Sequence, residues 1–260
     1  MRVKEMMSTK LIVIDTNDNL RNAMKIMKKN DISRLLVKRK DDIVGIITER
    51  DISDRMGRLE DRPISDAHLH VSSAYSDKLK TIDQEAHINE AANAMRSEKI
   101  SSLAVTDTSG KIIGIITKTD LIKSLENSSA PVSEFMTRKI VSLKQGSSLL
   151  NARRLMLDND IKRILVTFED EIVGVITEGD IANFLGMFRK VSKGIQWFNK
   201  LREINVDDVM SKDVIIIGMN NAVSDAVKIM IKNDIAGLPV VDNNDKLVGL
   251  LTKTDLIKSI

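Results

Sequence analysis

Hydrophobic and polar positions along the chain follow two periods in turn, and the sequence of periods returns four times. The first pass opens with a short apolar run from Leu11 to Ile14. Leu20, Ala23, Met24 and Met27 then fall at helical spacing. Two further apolar runs, 34–37 and 43–47, flank the polar tract Lys38-Arg39-Lys40-Asp41-Asp42, which has the chemistry of a hairpin turn. A second helix is predicted after Thr48. The predicted unit is strand–helix–strand–strand–helix, an α/β arrangement.

The same register recurs down the chain. Ile14, Ile82, Leu143 and Ile217 mark the first strands. Leu20, Ile88, Leu149 and Val223 follow at one offset, Met27, Met95, Met156 and Met230 at a second, and Val37, Val105, Val166 and Val240 at a third. Each repeat closes on a glycine in an apolar strand, then threonine, then aspartate three residues later: Gly45-Thr48-Asp51, Gly114-Thr117-Asp120, Gly174-Thr177-Asp180 and Gly249-Thr252-Asp255. From valine to glycine is eight residues in repeats 1 and 3 but nine in repeats 2 and 4. The even repeats share TKTDLIKS, and the odd ones carry TERDI and TEGDI. The order is therefore ABAB, a duplicated pair.

A unit this small closes its own core poorly, so repeats are expected to pair through their sheets, 1 with 2 and 3 with 4. The expected boundaries are 1–58, 59–126 with an insertion near 69–77, 127–187, a linker helix over 188–205, and 206–260. Repeat 2 reads as carrying about seven extra residues before its first strand, in a stretch with Pro63, His68 and His70. Pro131 marks the boundary between pairs. The linker holds the sole tryptophan, Trp197, with Phe188 and Phe198 among basic residues, and is expected to pack on the repeats.

Composition removes several function classes. The chain has 260 residues, 42% hydrophobic and 30% charged, enough for a real core. Lys+Arg number 40 against Asp+Glu 37, a net charge of +3, too balanced to steer nucleic acid strongly. With no cysteine there is no disulfide, thiolate metal site or cysteine nucleophile. The longest apolar run lies around Val214 to Met219, so no membrane span is expected, and without a signal-peptide pattern the expected location is cytoplasmic. His68 and His70 have strand spacing for two metal ligands but lack a third, and no metal site is expected. No nucleotide-loop, hydrolase or zinc-protease motif occurs.

The Thr-x-x-Asp pattern has two readings that stay open at this point. It is the pattern of a helix capping box, with threonine at the N-cap and the acid reaching back. The same geometry offers a helix N-terminus, suited to phosphate, beside a carboxylate suited to ribose hydroxyls.

The openings Val3-Lys4-Glu5-Met6-Met7-Ser8, Val132-Ser133-Glu134-Phe135-Met136-Thr137 and Val206-Asp207-Asp208-Val209-Met210-Ser211, with the closing Gly-h-h-Thr-x-x-Asp, where h is apolar, resemble the CBS domain, named for cystathionine β-synthase. In repeat 2 the opening is read as Ile64-Ser65-Asp66-Ala67-His68, with histidine at the methionine position. Four repeats in one chain resemble the gamma subunit of AMP-activated protein kinase and stand-alone archaeal and bacterial CBS proteins.

The resemblance implies four CBS repeats pairing into two Bateman modules, with clefts that take adenosine-containing ligands: AMP, ADP, ATP or S-adenosylmethionine. It implies that Asp51, Asp120, Asp180 and Asp255 hold ribose, with Thr48, Thr117, Thr177 and Thr252 near ribose or phosphate. Arg34 and Arg163, at the start of the second strand, are implied phosphate contacts, assisted by Lys162. Their counterparts Ser102 and Gly237 cannot serve, so the clefts are expected to be unequal. Leu11, Ile140 and Val214 are implied to flank the base, although ordinary core packing is the better explanation of each one taken alone. The expected function is a non-enzymatic regulator that needs no cofactor and passes adenine nucleotide occupancy to a protein partner. An S-adenosylmethionine sensor and a nucleic-acid-binding or structural scaffold are the alternatives, and either a monomeric disc or a homodimer through modules is compatible. Inosine-monophosphate dehydrogenase, which also carries CBS repeats, needs a barrel and a cysteine absent here.

Overall fold

A computed structural model describes residues 1–57, 69–169, 171–191 and 200–260. The strand–helix–strand–strand–helix unit is present four times. Repeat 1 holds β1 (Val13–Asp15), α1 (Leu20–Asn30), β2 (Arg34–Arg39), β3 (Asp42–Thr48) and α2 (Glu49–Gly57). Repeat 2 holds β4 (Thr81–Asp83), α3 (Ile88–Ser97), β5 (Ser102–Thr106), β6 (Ile112–Thr117) and α4 (Lys118–Ile122). Repeat 3 holds β7 (Ser142–Lys144), α5 (Leu149–Asp158), β8 (Arg163–Phe168), β9 (Glu171–Thr177) and α6 (Glu178–Val191). Repeat 4 holds β10 (Ile217–Gly218), α7 (Val223–Lys232), β11 (Gly237–Val241), β12 (Leu247–Thr252) and α8 (Lys253–Leu256).

Each repeat makes its own three-stranded sheet. The first strand pairs parallel with the second, which requires a crossover, and the helix between them supplies it. These helices begin where a side chain can satisfy free N–H groups: Asn19 accepts from the Asn22 amide at 2.8 Å, and Ser148 from the Asn151 amide at 3.2 Å. They are followed by Asp31, Lys99, Asp160 and Asp234 at φ of 54°, 54°, 51° and 45°, the left-handed conformation that ends a helix. Their buried faces are the ones the periodicity marks: Leu20, Ala23 and Met27 on α1, and Leu149, Ala152 and Met156 on α5.

The ABAB alternation is a hairpin difference. In repeat 1 Arg39 pairs with Asp42, leaving a two-residue turn at Lys40-Asp41. The even turns are longer and are held by an aspartate: Asp107 accepts from the Ser109 and Lys111 amides at 2.9 and 3.0 Å, and Asp242 from the Asn244 and Lys246 amides at the same distances. All four hairpins share a register shift just past Val37, Val105, Val166 and Val240, which pair with Gly45, Gly114, Gly174 and Gly249.

Those glycines lie where another segment crosses. A Cβ on Gly114 would stand 2.6 Å from the Met7 sulfur, and one on Gly249 would stand 2.7 Å from that of Met136. Ser8 bridges to Ile115, Ser76 to Ile46, Thr137 to Leu250 and Ser211 to Val175. The opening of each repeat therefore docks on its neighbour's sheet: repeat 1 on 2, 2 on 1, 3 on 4 and 4 on 3. This corrects the opening expected in repeat 2. The segment that takes the position is Val71-Ser72-Ser73-Ala74-Tyr75-Ser76, with Tyr75 where the others have methionine. Val3, Val71, Val132 and Val206 all precede the first-strand anchor by eleven residues, so there is no insertion near 69–77. The extra residues precede the opening instead, and 64–68 lie outside the described residues. The boundary expected at 187/188 also falls inside α6, which runs to Val191. Trp197 lies outside the described residues.

The chain forms two compact units. One contains residues 12–79 and 141–214, the other 1–11, 80–140 and 215–260. Repeats 1 and 3 share the first core, in which α2 packs on α6. Repeats 2 and 4 share the second, in which α4 packs on α8. The cores thus join alternate repeats, while the exchanged openings link consecutive ones.

Candidate functional site

The second helix of every repeat starts with the same constellation. Thr48 donates through its hydroxyl and its amide to Asp51 Oδ2 at 2.7 and 2.8 Å, and the Asp51 amide donates back to Thr48 Oγ1 at 3.3 Å. The hydroxyl bond is 2.7 Å for Thr117–Asp120, 2.7 Å for Thr177–Asp180 and 2.6 Å for Thr252–Asp255. The capping role is therefore realised four times. It engages only Oδ2. Among the described residues, Oδ1 of Asp51 and of Asp180 accepts no hydrogen bond, which leaves a carboxylate oxygen for a ligand.

In the unit of repeats 1 and 3, cations stand beside these caps. Arg34 pairs with Thr48 across the β2–β3 ladder, and Arg163 pairs with Thr177 across β8–β9. The Arg34 guanidinium donates to Ser33 Oγ at 3.0 Å. Lys162 joins them. It is solvent-exposed, yet protein surrounds it closely enough to hold its ammonium below the ordinary lysine value, with Arg34, Arg50 and Arg163 pushing the same way and Glu178 opposing. Burial pushes the Asp51 carboxyl up, its bonds from Thr48 pull it back, and Lys162 also favours its charge. Lys162 of repeat 3 is thus within electrostatic reach of Arg34 and Asp51 of repeat 1 and of Arg163 beside it.

Two ion pairs missed in the sequence tie this unit together. Arg50 binds Glu178 through Nε and Asp160 at 2.8 Å, and Arg153 binds Asp54 at 3.3 Å. Burial raises the Glu178 carboxyl, and Arg50 and Lys162 oppose the rise. The signal for the first pair was the TERD/TEGD difference, which leaves arginine on one side and glycine on the other.

The unit of repeats 2 and 4 has a different character. Ser102 and Gly237 occupy the ladder positions opposite Thr117 and Thr252, so no strand-start cation is present. Its helices meet by a reciprocal exchange: Lys118 donates to Thr254 and Lys253 to Thr119, both at 2.9 Å. The odd unit has glutamate at the positions of these lysines, Glu49 and Glu178.

Leu11, Ile140 and Val214 are half-buried, and each ends the segment after its opening. The corrected register adds Leu79 as the fourth member, also half-buried. His70 lies with Nδ1 2.8 Å from the Asn17 carbonyl, and among the described residues no group of three potential ligands could hold a metal. Among them, too, no helix is long and apolar enough to cross a membrane.

The family description "CBS domain" matches residues 3–58, 71–127, 132–186 and 206–260. The uncharacterized protein MJ1225 of Methanocaldococcus jannaschii is 26% identical over 267 aligned residues, covering 96% of this chain and 95% of that protein. Its crystal structure, described as that of a candidate archaeal homologue of g-AMPK, superposes with a TM-score of 0.88 at 25% identity over 100% of this chain and 99% of the other. Protein MJ1404 of the same organism is 27% identical over 99% of this chain, which spans 61% of that protein's length. An uncharacterized conserved protein of Pyrococcus horikoshii shares the fold at a TM-score of 0.67 and 20% identity, over 100% of this chain and 99% of the other.

Proposed function

The chain belongs to the CBS domain family, and from that premise we propose that it is a non-enzymatic sensor of adenosine-containing nucleotides. AMP, ADP or ATP binds in clefts between paired repeats, and occupancy is passed to a protein partner. The observation that carries this reading is in the unit of repeats 1 and 3. A carboxylate with one uncommitted oxygen lies at the start of α2 and of α6, with an arginine across the ladder from each capping threonine. Asp51 and Asp180 accept the ribose hydroxyls. Arg34, Arg163 and Lys162 take the phosphates. Leu79 and Val214 flank the base in this unit, and Leu11 and Ile140 do so in the unit of repeats 2 and 4. A ligand can act on the partner only by binding two conformations unequally, so the predicted output is a shift in geometry that the partner reads.

A second reading has its own support. Ser102 and Gly237 place no charge where the odd repeats have arginine, which suits an adenosine ligand without phosphate, such as S-adenosylmethionine, in the even clefts.

The test is calorimetry with AMP, ADP, ATP, S-adenosylmethionine and GTP on the wild type and on an Arg34→Ala/Arg163→Ala variant. Each charge-assisted bond contributes ~1.5–3 kcal/mol, so ATP binding should weaken about ten- to hundredfold. ATP binding as tight as wild type in the variant would remove the phosphate assignment. Silence towards every adenosine ligand, with salt-sensitive binding of nucleic acid, would move the function to a scaffold.

A further inference from the structure

The four aspartates cap their helices identically, but their second oxygens differ by repeat. Asp120 Oδ1 is taken by Lys123 Nζ at 3.2 Å, one turn along the same helical segment. Asp255 Oδ1 is taken by Lys258 Nζ at 2.8 Å and also accepts from Thr137 Oγ1 at 3.2 Å. Thr137 belongs to the opening of repeat 3, which docks on repeat 4. Asp255 is left 5% exposed, with both oxygens committed. In the odd repeats the position three residues beyond the aspartate holds Asp54 or Asn183, neither of which is a cation. Asp54 faces Arg153 instead.

We propose that Lys123 and Lys258 are built-in competitors for the ribose carboxylates of the even repeats, so that the clefts of repeats 1 and 3 fill first and those of repeats 2 and 4 form a second tier. This rests on the proposed adenosine-sensing function. A ribose entering an even cleft must displace an ammonium already bonded to the oxygen it needs. In repeat 4 it must also displace a hydroxyl. The tier order is Asp51 and Asp180, then Asp120, then Asp255. Both lysine side chains are well exposed, at 45% and 57%, so they can swing into solvent when displaced without breaking the core. The arrangement gives one chain two response ranges from a single motif, set by the KS ending of the duplicated TKTDLIKS segment.

Adenosine is the discriminating probe, because it carries the ribose without the phosphate whose attraction to lysine would confuse the result. Calorimetry of the full chain with adenosine, and in parallel with AMP, should resolve a strong and a weak class of sites. Asp51→Asn/Asp180→Asn should remove the strong class. Lys123→Met/Lys258→Met should tighten the weak class by about two- to fivefold, or make it measurable where it was not, and leave the strong class unchanged. Melting temperature close to wild type is expected for the exposed lysine variants, which makes misfolding a poor explanation of any change. Four equivalent sites in the wild type, or a weak class that is unmoved or weakened for adenosine in the double methionine variant, would overturn the proposal. If the wild type binds AMP but adenosine affinities ignore the lysines, the sensing function stands and the competition alone falls. If the wild type binds neither, both fall.

Discussion

A carboxylate that caps its own helix with one oxygen has one oxygen left, and the state of that oxygen decides what each repeat can accept. Asp51 keeps its own uncommitted, in surroundings that disfavour charge. Burial raises its proton affinity above the ordinary value of 3.8, against the pull of the Thr48 bonds. The folded pKa therefore lies above the unfolded one. Ionised Asp51 costs stability above the unfolded value, and this cost is relieved as pH falls through the raised folded pKa. Ligand binding has the opposite dependence, because ribose hydroxyls donate to the ionised form. Adenosine affinity at the Asp51 cleft should fall on acidification at a higher pH than an unperturbed aspartate would dictate, and binding near that pH should release protons. Calorimetry in buffers of different ionisation enthalpy measures both. Lys162 gives the alkaline counterpart: its depressed pKa means that phosphate attraction is lost on raising the pH before 10.5 is reached, whereas adenosine should be indifferent. Thr117→Ala should cost about 1 kcal/mol of stability with or without ligand, because it removes a cap.

At the scale of elements, the crossing of opening and hairpin is the tightest junction. The glycine of each closing strand sits where a neighbour's opening passes, and the hairpin register shifts beside it. The four junctions are not equally tolerant. A methyl group on Gly45 would press on the Ser76 carbonyl and stand 2.6 Å from Cδ2 of the Tyr75 ring, a backbone atom and a rigid side chain. On Gly249 it would meet the flexible end of Met136 at 2.7 Å. Gly45→Ala should therefore destabilise by about 1–3 kcal/mol, and Gly249→Ala by clearly less, in denaturant titrations. Equal losses would mean that the opening segments shift freely.

At the scale of the molecule, neither half of the chain owns a core. Leu20, Met27 and Ile47 of repeat 1 belong to one buried cluster with Leu149, Met156 and Ile176 of repeat 3. Met95 and Leu121 of repeat 2 share the other with Met230 and Leu256 of repeat 4. A fragment of residues 1–128 would expose the faces of α2 and α4 that normally meet α6 and α8. It should self-associate to cover them, and light scattering after size exclusion should report a dimer. A stable monomer would show that the cores do not need both halves. The ion pairs Arg50–Glu178 and Arg153–Asp54 span the same join of repeats 1 and 3, so Arg50→Ala should weaken the full chain without altering either sheet.

The elements were legible in the sequence because their determinants are local. Helical spacing at Leu20, Ala23 and Met27, turn residues such as Asp107 and Asp242, and the Thr-x-x-Asp caps each act within a few residues, and each formed where the pattern put it. The ABAB order also had a local cause in hairpin length. The errors came where one segment answers to a distant one. The repeat 2 opening at Val71–Ser76 lacks the methionine of the other three, and its identity follows from where it docks, against Gly45. The sharing of cores by alternate repeats, and the gathering of Arg34, Asp51, Lys162 and Arg163, depend on contacts between residues more than a hundred positions apart. The same holds for Thr137 on Asp255, a bond across 118 positions. A one-dimensional pattern records which side chains are buried and what each helix end can bond. Which repeat covers which, and therefore which carboxylates are left open, is set by packing surfaces that only the folded chain brings together.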